Sequence, residues 1–507
     1  MSYWKPPSYW SKVSPQQPAS YIIYKDDLGY VCAKNGETGK IDYRDTDAAT
    51  VIQAAIDALS EGGKILLKQG IYNISSDIDF SVSNLTIEGE SFGSVILKKI
   101  GDVSFANISK GVEKVVIRNL VIDASQSARP AGAAELVLGS SSDCVLENIY
   151  VKDFPSYGIG IGAGSTNYRN VLRNIYLDST RNSSDALGGG NMFGGILDHI
   201  FVLNSGFDGI GLSNCQKTIL TNFVTMNCQR GGVVLDGWKE CTISNGIVYK
   251  CVEDSTWTDF YRAGFMMYQP HTPSTRNNVV ANIVSIENTY GSGFTFRVDD
   301  YGNVLINLSA YRNGLYGIML VGKPVMGFNL LVAENNQRAD TPRAGLFIEA
   351  GSSKDVIYGI YAYDNQDTKT QDYCVRIAGT SGSPTSDIIL NGGAFLSYKT
   401  APISISSYAS NIKIKNIFGY VTENSGTATF SGDGSTTDFE IGAHGLAVTD
   451  PEKIVVKVTP ISQDAINASP CVGYVDPADN TKIRVKFASA PASGTDNVKI
   501  KWKAEVC

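Results

Sequence analysis

A short apolar segment ending in asparagine recurs along the middle of this chain, and that recurrence limits the folds open to it. It reads "VVIRN" to Asn119, "CVLENI" at Asn148, "VLRNI" at Asn174, "TILTN" to Asn222 and "CTISN" to Asn245. It continues as "VVANI" at Asn282, "VLINL" at Asn307, "MGFNL" at Asn329, "IILNG" at Asn391 and "IKIKN" to Asn416. His199 in "GILDHI" and Gly359 in "VIYGI" take the same register without the asparagine. Steps run from 22 residues (Asn307 to Asn329) to 37 (Asn245 to Asn282). Units this short hold two or three strands and no helix, and none buries an apolar face alone. Stacked, they make a coil of parallel strands whose inward Ile, Val and Leu form one column. The asparagine then sits at a bend, where its amide can bond to the asparagine of the next coil. A second Asn follows in several units (Asn204, Asn227, Asn288, Asn313, Asn335, Asn365) and suits the next turn. The reading is all-β, a parallel β-helix of roughly twelve rungs. A leucine-rich repeat would show a Leu ladder with helical segments, and a propeller blade needs about 40 residues or more.

The flanking segments agree. "TDAATVIQAAIDALSEGGKILLKQGIYNIS" starts with a capping Thr or Asp and spaces Val51, Ile52, Ala55, Ile56 and Leu59 as a helix face. The helix is expected to stop at Gly62-Gly63, with strands Ile65 to Leu67 and Ile71 to Ile74 after it. An amphipathic helix over the open end of a β-helix blocks edge-to-edge pairing. The segment "DAATVIQAAIDALSEGGKILLKQGIYNI" followed by "NLTIEGE" resembles the N-terminal cap and first rung of the pectin-lyase-like right-handed parallel β-helix superfamily. That group includes pectate lyases, polygalacturonase-type hydrolases, uronate epimerases and bacteriophage tailspike depolymerases. The resemblance covers roughly residues 45–425 and implies the fold more than any one chemistry.

Four regions follow: an arm (1–20), a cap region with the helix (21–80), the β-helix (81–425) and a β-sandwich module (426–507). The last shows short alternating strands between Gly, Pro, Asp and Asn turns, and it resembles terminal modules of viral fibre proteins. The arm carries Tyr3, Trp4, Tyr9 and Trp10, as a docking segment would. Net charge is −7, so a nucleic-acid partner is not expected. No apolar run is long enough to span a membrane, and "MSYWKPPSYWSKVSPQQPAS" has no signal-peptide core. These features suggest a virion-surface or extracellular setting, attachment through the arm, and a homotrimer of the kind usual for viral spikes. The nine cysteines include no C-x-x-C pair, and Cys215, Cys228, Cys241 and Cys251 read as buried packing residues.

A second strand in each unit ends in a variable residue. The segments "GIGIGAG", "GIGLSN", "GVVLDG", "GFMMYQ", "GFTFRV", "GIMLVG", "GLFIEA" and "CVRIAG" put Gly162, Ser213, Asp236, Tyr268, Arg297, Val321, Glu349 and Ala378 just outside the last inward residue. Rungs are about 4.8 Å apart, so Asp236, Tyr268 and Arg297 should form one outer line, with Glu349 two rungs on. Gln269, His271, Asp299, Asp300 and Lys323 belong to the turns beyond. The longest step holds "CVEDSTWTDFYRAG", which brings Asp254, Trp257, Asp259, Tyr261 and Arg262 to the Tyr268 rung, and Trp238 follows Asp236 closely. Insertions in solenoids mark the binding face.

Carboxylates, hydrogen-bonding groups and ring faces together suit a sugar polymer, so the expected partner is a polysaccharide. Eliminating or epimerising a uronate needs a cation on the carboxylate, a base and an acid. Arg297 suits the first role, Tyr268 and His271 the others. Hydrolysis needs two carboxylates about 5–9 Å apart, for which Asp236 with Asp299 or Asp300 are candidates. "MMYQPHT" resembles the Asp-Pro-His motif of mannuronan epimerases with Gln269 in place of the Asp, and "ILDHIF" resembles a pectate-lyase motif without its Trp. Asp236, Asp254 or Asp259 could hold Ca2+, though no ligand spacing demands a cofactor. The catalytic set is thus Asp236, Tyr268, His271, Arg297 and Asp299. The substrate-binding set is Trp238, Trp257, Tyr261, Arg262, Gln269, Asp300, Lys323 and Glu349. Lyase or glycoside hydrolase on an acidic polysaccharide is the expected function. A non-catalytic carbohydrate-binding or structural fibre is the alternative, since an outward Asp–Tyr–Arg row can also be a surface ladder.

Overall fold

The computed structural model describes residues 18–128, 133–162, 166–256, 262–268, 275–298, 301–322, 324–337 and 343–506. It is a parallel β-helix of about 13 turns. One side is a 19-stranded sheet and a second side a 13-stranded sheet of shorter strands. A third side carries the short pair Asn167–Tyr168 with Met192–Phe193 and single bridges, among them those from Glu113 through Ser142 to Tyr168 and from Phe193 through Gln216 and Lys239 to Arg276. Strands of the first sheet, such as Val145–Lys152, Val171–Asp178, Ile196–Leu203 and Ile219–Met226, pair in parallel without slippage. No helix among the described residues is long and apolar enough to cross a membrane.

The asparagine row forms the corner. Asn119 (φ 60°), Asn148 (54°), Asn174 (52°), Asn282 (56°) and Asn307 (52°) are all left-handed, and His199 (56°) and Gly359 (73°) keep that conformation. A left-handed residue costs other L-amino acids roughly 1–2 kcal/mol and asparagine less. It also breaks the strand's alternation, so Leu146 and Ile149 both point inward although three residues apart. The amides stack as expected: Asn148 donates to Asn119 (2.8 Å), Asn174 to Asn148 (2.9 Å), Asn282 to Asn245 (3.2 Å) and Asn307 to Asn282 (2.9 Å). At His199 the ladder detours, with Asn222 donating to Asp198 Oδ1 at 2.9 Å. One position differs from expectation. Gly392 (φ 81°), not Asn391, takes the corner, because the glycine is the freer residue there.

The second asparagines divide into two sets. Asn227 donates to Asn204 at the outside of the coil (2.9 Å). Asn288, Asn313 and Asn335 are fully buried and form an inner ladder that ends on Gln371, with spacings of 2.6, 3.0 and 3.3 Å. Asn365 is exposed, and its neighbour Asp364 organises the turn by accepting from the Thr370 and Gln371 amides. Cys215, Cys228, Cys241 and Cys251 are free and buried.

The cap helix spans Ala48–Asp57, with Asp47 accepting from the Thr50 amide and Val51, Ile52, Ala55 and Ile56 buried. It ends before Gly62-Gly63, both of which have positive φ. Three antiparallel strands unforeseen from sequence precede it: Tyr21–Lys25, Val31–Asn35 and Ile41–Asp45. The strands Gly63–Leu67 and Gly70–Ile74 do not pair with each other. Each joins a strand of the next rung, Leu85–Gly89 and Val95–Lys99. After the last rung, two three-stranded antiparallel sheets pack around Val485, Phe487, Val498 and Ile500.

Asn282 both donates and accepts within the corner ladder. Asn282→Ala is expected to cost about 1–2 kcal/mol through the strained φ and the lost amide bonds. Asn282→Gly, which keeps the backbone relaxed, should cost less. Thermal and denaturant unfolding of the two variants check this ordering.

Candidate functional site

On the outer face of the second sheet, alternation sets which side chains meet. Leu212, Leu235, Met267 and Phe296 point inward, so the residues following them point out. Ser213 pairs with Asp236 and Asp236 with Tyr268. Met267 pairs with Phe296, which puts Arg297 on the next rung, and Arg297 pairs with Val321. Glu349 follows one rung later, its amide on the Leu320 carbonyl (2.9 Å). The expected line Asp236, Tyr268, Arg297, with Glu349 two rungs on, is therefore one row of the sheet. Asp236, Tyr268 and Glu349 are half-buried and Arg297 is exposed. The row also contains a rung missed in sequence, Leu187–Gly190, between those of Gly162 and Ser213. Its run of glycines shows no apolar alternation.

Trp238 is a correction. It is fully buried, and its indole donates to the Leu212 carbonyl (2.9 Å). Gly237 (φ 63°) turns the chain between Asp236 and Trp238, so the expected outward ring points into the core. Trp238 cannot be a sugar platform. His271, Asp299, Trp257, Asp259, Tyr261, Gln269, Asp300 and Lys323 lie outside the described residues. Among the described residues no cluster of three or more Asp, Glu, His or Cys side chains could hold a metal ion.

Arg262 is brought to Tyr268, but as a buried residue. It is 8% exposed, and its guanidinium lies 5.8 Å from the Tyr290 ring centroid. Tyr268 and Arg262 line one cavity of about 90 Å3 with Asp208, Arg230, Val234, Ala263 and Met266. Val234 and Met266 are register partners and form its floor. Its charged wall comes from the corner where the chain enters the sheet. Asp185, Asp208, Arg230 and Arg262 stand just before the strands Leu187–Gly190, Ile210–Ser213, Val233–Asp236 and Ala263–Tyr268. They therefore occupy one corner on successive rungs, tied by Ala186 N–H to the Asp208 carbonyl and Gly209 N–H to the Gly231 carbonyl (both 2.9 Å).

Small residues make room for this wall. A Cβ on Gly211 would lie 2.2 Å from Asp185 Oδ2, and one on Gly188 would lie 2.3 Å from the Tyr157 ring. The carboxyls of Asp185 and Asp208 hydrogen-bond to each other. Burial, with the charge of Asp208, raises Asp185 well above the usual carboxylate range. Burial pushes Asp208 up to about 7, against the pull of Arg230. Two carboxylates in contact cannot both ionise cheaply, so the pair holds one proton near neutrality. Arg230, its guanidinium carbon 3.7 Å from the Phe207 ring centroid, stays cationic beside them. Burial draws its affinity for the proton down while Asp208 and Asp185 hold it up. Asp254, kept acidic first by Thr256 and also by Arg230 and Arg262, completes the charge pattern.

Asp208 is a buried member of this wall. A signal for the wall did exist. "SDALGG", "FDGIGL", "QRGGVV" and "YRAGFM" each put a charge just ahead of a small residue and the strand. The strand ends, which vary more, are the more conspicuous feature.

No family model matches the chain, and no curated protein matches it by sequence. Solved structures with a similar chain path include the A-module of an Azotobacter vinelandii mannuronan C-5 epimerase. It is 15% identical, covers 72% of this chain and 96% of that one, and has a TM-score of 0.47. The tailspike gp61 of Pseudomonas phage phi297 is 12% identical over 90% of this chain and 91% of its own, with a TM-score of 0.49. An N-terminal fragment of bacteriophage Phi29 gene product 12 is 14% identical over 70% and 69%, with a TM-score of 0.47.

The raised Asp208 value carries a stability consequence. The folded state holds a proton that the unfolded chain releases near 3.8. Stability should therefore fall as pH rises from about 4 to about 7. Asp208→Asn should flatten that slope. Asp355, which burial also pushes up to about 7, and Asp185, also raised by burial, should retain the remainder. Unfolding midpoints measured across this range test the assignment.

Proposed function

We propose that the chain acts on an acidic polysaccharide by abstracting the proton next to a uronate carboxylate, giving elimination or epimerisation. The observation that carries this reading is the cavity Tyr268 shares with Arg230, Arg262 and Asp208. At about 90 Å3, it has room for about three waters, which suits a carboxylate group and not a whole sugar ring. The ring would lie along the sheet face, over the Asp236–Tyr268–Arg297 row. Two guanidinium groups would hold the carboxylate and stabilise the charge that develops on it when the neighbouring proton leaves. Tyr268 would move that proton. The Asp185–Asp208 pair could take up one more proton, which would lower the negative charge beside the substrate.

The same contact weighs against hydrolysis by this carboxylate pair. Glycosidases keep their two carboxyls about 5–9 Å apart, whereas Asp185 and Asp208 touch. A virion-surface or extracellular setting goes with this reading, since polysaccharide coats are met there.

Incubation with a panel of acidic and neutral polysaccharides tests it. Unsaturated-product absorbance or an altered uronate epimer ratio is expected with an acidic substrate. Tyr268→Phe should keep binding and lose about 10²–10⁴-fold in turnover. Reducing ends without unsaturation would make the chain a hydrolase, and binding without product would make it a carbohydrate-binding fibre.

A further inference from the structure

Two core columns near the cap each hold one charged side chain among apolar neighbours. Lys99 ends the strand Val95–Lys99, in which Val95, Leu97 and Lys99 are the buried positions. It pairs with Ile74 on the rung before. On the rung after, Asp123 pairs with Lys98, which puts Ala124 in register with Lys99. Glu135 lies in the strand Ala134–Leu138 of the second sheet. Its carbonyl accepts from the Phe105 amide at 3.0 Å on one side. On the other side Gly158 is in register with it, since Leu136 pairs with Ile159. Ile74, Phe105 and Ala124 are fully buried.

The two charges meet. Both side chains are 0% exposed, and Lys99 Nζ touches the Glu135 carboxylate. Beyond that contact, neither oxygen of the carboxylate accepts a hydrogen bond among the described residues. The small neighbours Ala124 and Gly158 leave room for the two long side chains. A Cβ on Gly158 would lie 3.1 Å from the side chains of Leu177 and Phe154, so the roof over Glu135 is apolar. An ion pair taken out of water loses more solvation than its attraction returns, unless further hydrogen bonds support it. Apolar surroundings favour the neutral amine and the neutral acid over the ions. Those are also the forms that react with each other.

We propose that Lys99 and Glu135 condense to an intramolecular isopeptide bond. The Lys99 ammonium passes one proton to the Glu135 carboxylate. The freed lone pair on Nζ attacks Cδ, and a C–N bond forms. A C–O bond then breaks, and that oxygen leaves as water with its own proton and one from the nitrogen. One ammonium and one carboxylate become one amide and one water, with nothing oxidised or reduced. Contact holds the two groups at a high effective concentration, and the absence of solvent access opposes the reverse hydrolysis. The product removes both charges from the core. It ties Val95–Lys99 to Ala134–Leu138 at the cap end, and a solenoid held only by contacts between neighbouring rungs gains most from a tie near its end.

Mass spectrometry of the intact, denatured full chain should read one water below the sequence mass. Lys99→Met, which keeps an unbranched stem without the amine, should read its full sequence mass. Tryptic digestion of the wild type should leave the chain uncut after Lys99 and release one branched peptide joining the Lys99 segment to the Glu135 segment. That result needs no variant to fold. A wild type at its full sequence mass overturns the proposal. So does a water loss that persists in Lys99→Met or maps to an unbranched peptide, as a succinimide at Asp208-Gly209 would.

Discussion

A left-handed residue at the same corner of each coil is the constraint on which the rest depends. It lets two consecutive residues face outward and returns the strand to the core in phase, so each rung repeats the one before. Asparagine meets that requirement at low backbone cost and also donates its amide to the rung below, as between Asn307 and Asn282. Phase-locked rungs turn single positions into rows. The row of Asp236 and Tyr268 and the apolar row through Ile247 are both products of that locking.

Charge is tolerated inside the second sheet's wall because it is arranged to be small. Asp185 and Asp208 share a proton, and Arg230 balances what remains. Glycine is as important here as the charges. With a Cβ at Gly211, Asp185 could not lie across the sheet, and the wall would open to water. The burial of this wall lowers the local dielectric and strengthens electrostatic contacts made in the cavity. The first sheet instead carries an apolar outer row through Ile247 and Tyr361, flanked near the cap by ion pairs such as Lys152–Asp123, so the two faces differ in chemistry.

Much of the fold was legible in the residues. The Asn period announced the coil, the spacing of Val51, Ile52, Ala55 and Ile56 announced the cap helix, and the strand ends announced that Asp236, Tyr268 and Arg297 share a row. Less was legible wherever a turn altered parity. Trp238 follows Asp236 by two residues and should share its face, yet Gly237 at φ 63° reverses it. The strand Leu187–Gly190 went uncounted because glycine carries no pattern.

By itself, the sequence determined the solenoid and the order of side chains along each strand, because both follow from local periodicity and from asparagine's tolerance of the left-handed corner. Only the tertiary structure decided that Asp185, Asp208, Arg230 and Arg262 meet beside Tyr268. Those residues sit in turns of unequal length, where counting residues no longer says which way a side chain points. Their shared proton, too, exists only because stacking removes two carboxyls from water and sets them against each other.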